Sequence, residues 1–319
     1  MNEAKTYGAE TYNAQLSRID CDHAGASPGT HRMAYWSWGA EHHSHVVLCV
    51  HGLARQGLDF DVLARSLIGP DGKRCRVVSV DVAGRGMSDW LADPSLYQIP
   101  QYAVDMVTLL MTLQAQGAQT IDWVGTSMGG LIGIAVAAQT ALQPQLKSLK
   151  PRRLVLNDIG PVVQWEALQR ISGYLGADKR FASEQEAMDY LWQISTSFGP
   201  HTPEQWRNLC RPMIRPDMNH ADGLFKLHYD PAIAEPVRAT TLESAAQAEA
   251  MLWQLYDAMT SETLLIRGAE SDLISLDTAH KMQARGPKAK LVQFEGVGHV
   301  PMLVQPDQIK AVEEFLFGV

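Results

Sequence analysis

The pattern of apolar and polar positions predicts buried strands that alternate with helices over most of the chain. Short apolar runs rich in β-branched residues indicate strands at 46–50, 76–81, 120–125, 153–158, 263–267 and 290–294, and an alternating segment indicates another at 31–38. Helical spacing or runs of small apolar residues predict helices at 101–116, after 127, at 276–284 and at 307–317. This alternation predicts an α/β fold with a mainly parallel sheet that helices cover on both faces.

The alternation stops between about 159 and 261, which divides the chain into three predicted parts. Ser183 followed by Glu186, and Thr202-Pro203 followed by Gln205, are typical helix starts within this stretch. Large aromatic residues are spread through it. We therefore predict an N-terminal arm at 1–30, a core at 31–159 and 245–319, and a helical, mobile lid inserted at 160–244.

Composition and charge exclude several classes of function. Hydrophobic residues make up 46% of the 319 residues and charged residues 19%, as in globular proteins. A net charge of −8 without a long run of like charges argues against nucleic acid as a partner. An apolar stretch of about 18 residues is missing, which argues against a membrane span. Four scattered cysteines and a start without a signal-like apolar core favour a reducing cytoplasm.

A Gly-x-Ser-x-Gly motif at 125–129 joins the predicted strand at 120–125 to a small-residue helix. A strand that reverses into a helix within a few residues forces Ser127 into a strained conformation with its hydroxyl exposed. Gly125 and Gly129 allow the strand and the helix to pass closely. The positive helix N-terminus would face a developing oxyanion. The motif therefore predicts a nucleophilic serine, whereas the alternative is a plain Gly/Ser-rich turn.

Two further polar residues follow predicted strands near the C-terminus. Asp272 lies a few residues beyond the strand at 263–267, and His299 follows the strand at 290–294. Because functional groups gather at the carboxyl ends of parallel strands, Ser127, Asp272 and His299 are expected to converge. The chain order Ser, Asp, His is that of a hydrolase triad.

With these motifs the chain resembles the α/β-hydrolase fold superfamily over about residues 31–319, as a serine carboxylesterase-like member with a helical lid. The segments that carry the resemblance are 51–53, 81–88, 125–130, 267–272 and 298–299. The resemblance implies that Ser127 is the nucleophile and His299 the general base and then acid. Asp272 would orient the histidine.

The resemblance also implies roles for neighbouring residues. The backbone N–H groups of Leu53 and Met128 would form the oxyanion hole, and His51 would be structural rather than a second base. Asp158 also ends a strand, and some members of the superfamily take their carboxylate from that position. We prefer Asp272, because its Arg-Gly-x-x-Ser-Asp setting is the commoner one.

A serine nucleophile favours acyl transfer to water and disfavours the dehalogenases and epoxide hydrolases of the superfamily, which need aspartate there. The aromatic lid suits a small or medium, fairly apolar carboxylic ester. Open alternatives are a carbon–carbon bond hydrolase of ring-cleavage products, a lactonase, a thioesterase and a peptidase. The carbon–carbon hydrolases commonly carry an aromatic residue after the histidine, where this chain has Val300. A ligand receptor that keeps the fold is the alternative without catalysis.

Substrate contacts are predicted at Arg55, Trp165 and Trp192. Arg55 follows the oxyanion position by two residues and could reach a substrate carboxylate, although a surface salt bridge is the alternative. No cofactor and no metal is expected. The predicted partner is a small-molecule ester, and the sequence leaves the oligomeric state open.

Overall fold

The computed structural model of the protein describes residues 13–24, 29–218 and 222–318, and its centre is an eight-stranded sheet. The strands, in chain order, are β1 (Gln15–Asp22), β2 (Thr30–Trp38), β3 (His45–Val50), β4 (Arg76–Asp81), β5 (Thr120–Thr126), β6 (Arg153–Asn157), β9 (Glu262–Gly268) and β10 (Lys290–Phe294). Their order across the sheet is β1-β2-β4-β3-β5-β6-β9-β10. Strands from β4 to β10 in this order run parallel, as the sequence predicts.

The first two strands extend the sheet in the antiparallel direction. β2 pairs with β4, and β1 pairs with β2 along its whole length. The prediction of an irregular arm is therefore wrong for residues 15–22. A half-exposed edge strand of mainly polar residues lacks the apolar run that marks a buried strand. The predicted arm at 1–12 and 25–28 lies outside the described residues.

Helices cover both faces of the sheet. They are α1 (Asp61–Leu67), α2 (Ile99–Ala115), α3 (Met128–Leu142), α8 (Leu242–Ala258), α9 (Leu276–Ala284) and α10 (Pro306–Phe317). Successive residues of a strand point to opposite faces, so Leu48 joins the core under α2, α3 and α8, whereas Cys49 joins the core under α1 and α10. The predicted α/β fold with helices on both faces is confirmed.

The segment 160–244 carries a separate set of short elements. These are α4 (Trp165–Tyr174), α5 (Glu184–Gln193), α6 (Pro203–Cys210), α7 (Ala234–Arg238) and a two-stranded antiparallel sheet of β7 (Ile214–Pro216) and β8 (Phe225–Leu227). Ser183 and Thr202 cap α5 and α6, as predicted. The small sheet was not expected, because strands of three residues leave no periodic signal.

None of the helices in the described part of the chain has both the length and the apolar character needed to span a membrane.

The turn from β5 into α3 brings backbone segments into close contact. A Cβ atom added to Gly129 would lie 2.0 Å from the carbonyl oxygen of Val50, and one added to Gly125 would lie 2.4 Å from the oxygen of Gly129. In both cases the clashing atom belongs to the backbone, which cannot relieve the clash by changing rotamer as a side chain can. The motif glycines therefore fix how closely the helix approaches β3 and β5, as the sequence predicts.

We expect Gly129→Ala to destabilise the protein by about 3 kcal/mol, because the new methyl group overlaps backbone. The matched control is Gly173→Ala in α4, where an added Cβ meets no atom within 4 Å. That change should shift the free energy of unfolding by less than about 1 kcal/mol, in the stabilising direction. Urea unfolding followed by circular dichroism measures both variants. Equal effects of the two changes would contradict the packing argument.

Candidate active site

Ser127 and His299 meet at the carboxyl edge of the sheet. Ser127 stands between β5 and α3 with a φ of 51°, in the strained region that the motif predicts. The loop after β10 carries His299, whose Nε2 atom lies 3.0 Å from the Ser127 hydroxyl oxygen. This is the hydrogen-bond distance that a serine nucleophile and its base require.

Asp158, the residue directly after β6, completes the contact with the histidine. Its Oδ2 atom lies 2.7 Å from Nδ1 of His299. An ionised carboxylate only accepts hydrogen bonds, so Nδ1 carries the proton and Nε2 is left to accept from Ser127. Asp158 is completely buried and has a φ of 55°, a conformation that aspartate tolerates better than most residues.

Two more donors hold the Asp158 carboxylate in place. The backbone N–H of Gly268 donates to Oδ1 at 2.9 Å, and the Ser271 hydroxyl donates to Oδ2 at 2.6 Å. Both donors belong to the end of β9 and the loop that follows it. This loop therefore supports the carboxylate rather than supplying it.

The structure contradicts the prediction that Asp272 orients His299. The Asp272 side chain is about half exposed, and its carboxylate accepts hydrogen bonds from Arg170 of α4 at 2.7 and 3.0 Å. Its neighbour Ser271 is the residue that points inward. Adjacent residues in a loop point in different directions, so proximity in sequence to a strand end did not identify the acid.

The predicted oxyanion residues adjoin the serine. Met128 is the first residue of α3, and Leu53 lines the same cavity as Ser127. A Cβ atom added to Gly52 would lie 3.5 Å from Cβ of Ser127, so this loop packs directly against the serine. That the N–H groups of Leu53 and Met128 bind an oxyanion stays a prediction.

Arg85 is a supporting residue that the sequence analysis did not identify, although it lies in the 81–88 motif. It is completely buried, and its Nε donates to the carbonyl oxygen of Leu53 at 2.8 Å. The same guanidinium also donates to the carbonyl oxygen of Ala83 and to the hydroxyl of Tyr102. Arg85 thereby fixes the orientation of the Leu53 peptide.

His51 has the structural role that the resemblance implied. Its Nδ1 lies 2.7 Å from the carbonyl oxygen of Gly52, and its Nε2 accepts from the backbone N–H of Val82 at 3.0 Å. Burial lowers the pKa of His51 to about 3, so the ring is neutral. Because both nitrogens are occupied, this histidine has no free atom to act as a second base.

A cavity of about 100 Å³ opens above Ser127 and His299, between the sheet edge and the segment 160–244. Its aromatic side chains are Tyr174, Phe198 and Tyr229. The predicted contacts Trp165 and Trp192 are not among the described residues that line it. Trp192 is partly exposed and packs edge to face against Trp206, with ring centroids 5.0 Å apart.

Arg55 does line this cavity, but it is not a surface residue. Its Nε and one terminal nitrogen each donate to the Asp59 carboxylate at 2.7 Å. The side chains of Arg55 and Asp59 are 11% and 7% exposed. The alternative considered from the sequence was a salt bridge at the surface. Arg55 does form a salt bridge, but the pair with Asp59 is buried.

One group among the described residues has the composition of a metal site. Potential ligand atoms of Cys21, His31 and Asp105 lie within 4.8 Å of one another in a buried position. His31 contacts Asp105 at 3.2 Å, and Gln101 donates to the same carboxylate. None of the three residues lines the cavity at Ser127, so the group has no part in the chemistry of this site.

Comparison with known proteins identifies the family. A family model described as the alpha/beta hydrolase family matches residues 47–312. The chain belongs to the alpha/beta hydrolase family. Together with the names of its relatives, this membership indicates that the protein is a hydrolase.

Three alpha/beta hydrolases illustrate the range of the similarity. The chain is 45% identical over 291 residues to a 3-hydroxybutyrate-oligomer hydrolase of Cupriavidus necator, which covers 91% of this chain and 94% of the relative. It is 26% identical over 274 residues to a 2-(acetamidomethylene)succinate hydrolase of Mesorhizobium japonicum, with 85% and 87% covered. The crystal structure of an alpha/beta hydrolase from Novosphingobium aromaticivorans matches with a TM-score of 0.77 at 31% identity, covering 96% of this chain and 99% of that chain.

Substitution of each of the two candidate aspartates tests directly which one orients His299 in this alpha/beta hydrolase. If Asp158 orients His299, Asp158→Asn should lower kcat by about 10⁴-fold, the size of the effect in a serine protease triad. Asp272→Asn is the matched control and should change kcat less than about threefold, since a half-exposed ion pair contributes little. Steady-state hydrolysis of p-nitrophenyl acetate measures both. A larger loss in Asp272→Asn would reverse the assignment.

Proposed function

We propose that this protein hydrolyses the ester bonds of short 3-hydroxybutyrate oligomers through an acyl-enzyme on Ser127. The observation that carries the proposal is the hydrogen-bonded chain from Ser127 through His299 to the buried Asp158. In this geometry the histidine can take a proton from the hydroxyl while the carboxylate stabilises the resulting positive ring.

Acylation begins when the Ser127 oxygen attacks the ester carbonyl carbon and His299 Nε2 accepts the hydroxyl proton. The carbonyl oxygen becomes an oxyanion, to which the N–H groups of Leu53 and Met128 would donate. When the tetrahedral intermediate collapses, the bond between the carbonyl carbon and the alcohol oxygen breaks. His299 protonates the departing oxygen, which leaves as an alcohol, and the acyl group stays on Ser127.

Deacylation repeats the same steps with water. His299 removes a proton from a water molecule, whose oxygen attacks the acyl carbon. The second tetrahedral intermediate releases the carboxylic acid, and the proton returns from His299 to the Ser127 oxygen. The cycle consumes one ester and one water molecule, and it yields one alcohol and one acid.

Two observations support the choice of substrate. The relative at 45% identity carries the name of a 3-hydroxybutyrate-oligomer hydrolase and aligns over most of both chains. The cavity of about 100 Å³ is small, and its lining mixes aliphatic side chains with Ser195, Ser197, Tyr174 and Tyr229. A short, branched acyl unit with a polar end suits such a cavity better than a long alkyl chain does.

The segment 160–244 would act as the lid that selects the acyl group. It supplies most of the residues that cover Ser127, among them Ile171, Tyr174, Leu191, Ile194 and Phe198. The sheet edge supplies the groups that carry out the reaction. Selection of the acyl group and the chemistry are thus assigned to different parts of the chain.

Hydrolysis of the 3-hydroxybutyrate dimer and trimer tests the proposed function. We expect both to be cleaved to monomer, with a kcat/KM at least about 10-fold above that of p-nitrophenyl octanoate, because each misplaced methylene costs about 1–3 kcal/mol. Release of 3-hydroxybutyrate is measured by liquid chromatography. Ser127→Ala should abolish turnover, and a fluorophosphonate probe should label the peptide that contains Ser127 in the wild type alone.

Other outcomes would redirect the proposal. A probe that labels Ser127 although no oligomer is cleaved keeps the serine chemistry and rejects the substrate. Cleavage of a vinylogous ring-cleavage diketone instead would favour the carbon–carbon bond hydrolases. A protein that binds esters without turning them over, and that the probe fails to label, would be a receptor.

The aromatic side chains that line the cavity lead to a second prediction about substrate choice. Phe198→Ala should raise the ratio of kcat/KM for p-nitrophenyl hexanoate over acetate by about 10-fold, because the truncation makes room for added methylenes. Trp192→Ala is the matched control, since this side chain lies outside the cavity lining. It should leave the ratio within about twofold of the wild type. A ratio that responds to Trp192 and not to Phe198 would contradict the assigned lining.

A further inference from the structure

Two arginine side chains line the cavity and could contact an anionic ligand. They are Arg55 and Arg170. Each is paired with a carboxylate, Arg55 with Asp59 and Arg170 with Asp272. The guanidinium that keeps a hydrogen-bond donor beyond its carboxylate is the one suited to bind a ligand.

Arg55 has an unused hydrogen-bond donor. Its Nε and Nη2 atoms donate to Asp59, and Nη2 also donates to the carbonyl oxygen of Leu209 at 2.9 Å. The remaining terminal nitrogen, Nη1, is buried and has no hydrogen-bond partner in the described part of the chain. A buried charged donor without an acceptor is costly and uncommon in folded proteins.

The guanidinium of Arg55 is held in position beside the cavity. Its Cζ lies 6.0 Å from the ring centroid of Phe198, and both side chains line the cavity. The two hydrogen bonds to Asp59 fix the plane of the guanidinium, so the donor is already oriented before a ligand arrives.

Arg170 is a poorer anion site than Arg55. Its side chain is 42% exposed, and both of the nitrogens that contact Asp272 are committed to that carboxylate. Water screens an exposed cation, whereas the nearly buried Arg55 interacts with an anion through a less polar medium. Of the two cations, Arg55 is thus the one suited to discriminate a charged substrate from a neutral one.

We infer that Nη1 of Arg55 binds the free carboxylate of the 3-hydroxybutyrate oligomer and so selects acids over neutral esters. The inference rests on the proposed function, because it assigns one end of that substrate. The carboxylate supplies the acceptor that Nη1 lacks, and the ester bond remains available to Ser127. Arg55 is a specificity residue and takes no part in bond cleavage.

The test compares two substrates that differ only at the carboxyl end. These are the 3-hydroxybutyrate dimer as the free acid and the same dimer with a terminal carboxamide, which has one cleavable ester and no charge. We expect wild-type kcat/KM to favour the acid. Replacing both partners of the ion pair, in Arg55→Met with Asp59→Leu, should lower the acid-to-amide ratio by about 10- to 100-fold, the worth of a hydrogen bond to a charged group. The double change avoids a buried unpaired carboxylate.

Two further variants keep the inference falsifiable. Arg55→Lys preserves the charge beside Asp59 and serves if the double variant fails to fold. Lysine lacks the planar fork that lets one nitrogen pair with Asp59 while another points elsewhere, so the ratio should again fall. Arg170→Gln is the matched control and should leave the ratio within about threefold of the wild type. An unchanged ratio in the Arg55 variants, or a loss confined to Arg170→Gln, would overturn the inference.

The substrate pair also separates this inference from the proposed function. If the wild type cleaves neither dimer, the proposed function fails and the inference fails with it. If it cleaves both and the Arg55 variants keep the wild-type ratio, the inference alone fails. In either case the ratio is taken within one variant, so a loss of active protein does not affect it.

Discussion

The arrangement of this site depends on one buried carboxylate and the donors that surround it. Asp158 has no exposed surface, and it accepts hydrogen bonds from Gly268, Ser271 and His299. A buried anion is costly unless donors compensate it, so the three contacts must form together. They connect the end of β6, the end of β9 and the loop after β10. His299 is thus held in position because it donates one of the hydrogen bonds that the buried Asp158 carboxylate requires.

The fold could be predicted from the sequence wherever a strand is buried on both faces. Apolar runs such as those of β3 and β6 can only be interior strands, and their order fixes a parallel sheet. β1 could not be predicted in this way, because it is an edge strand of mainly polar residues. Its place follows from pairing with β2, which is a property of the folded sheet rather than of residues 15–22.

The site was predictable in its serine and histidine and not in its acid. Ser127 lies in a motif between a predicted strand and a predicted helix, and His299 follows a strand whose carboxyl end lies at the same edge of the sheet. Asp158 and Asp272 both follow strand ends, so the sequence left two carboxylates for one position. The structure separates them: Asp158 contacts His299, whereas Asp272 is paired with Arg170 of the inserted segment. A long-range partner of this kind has no signature near the strand.

The same limit applies to the cavity. The aromatic residues of the inserted segment led to predicted substrate contacts at Trp165 and Trp192, but the aromatic residues in the described lining are Tyr174, Phe198 and Tyr229. Which face of a short helix points inward depends on how the segment docks. Arg55 was predictable as a residue near the oxyanion position, whereas its contact with Leu209 of the inserted segment depends on that docking.

Two hydrogen bonds at Ser197 limit how the inserted segment 160–244 can move. The Ser197 hydroxyl donates to the carbonyl oxygen of His299, and the Ser197 carbonyl oxygen accepts from the N–H of Gly298 at 2.7 Å. These two hydrogen bonds thus join the inserted segment to the loop that carries His299. If the whole segment moved away as one rigid body, both hydrogen bonds would break and the loop that carries His299 would lose this support. Local motion elsewhere in the segment would open the cavity and leave His299 in place.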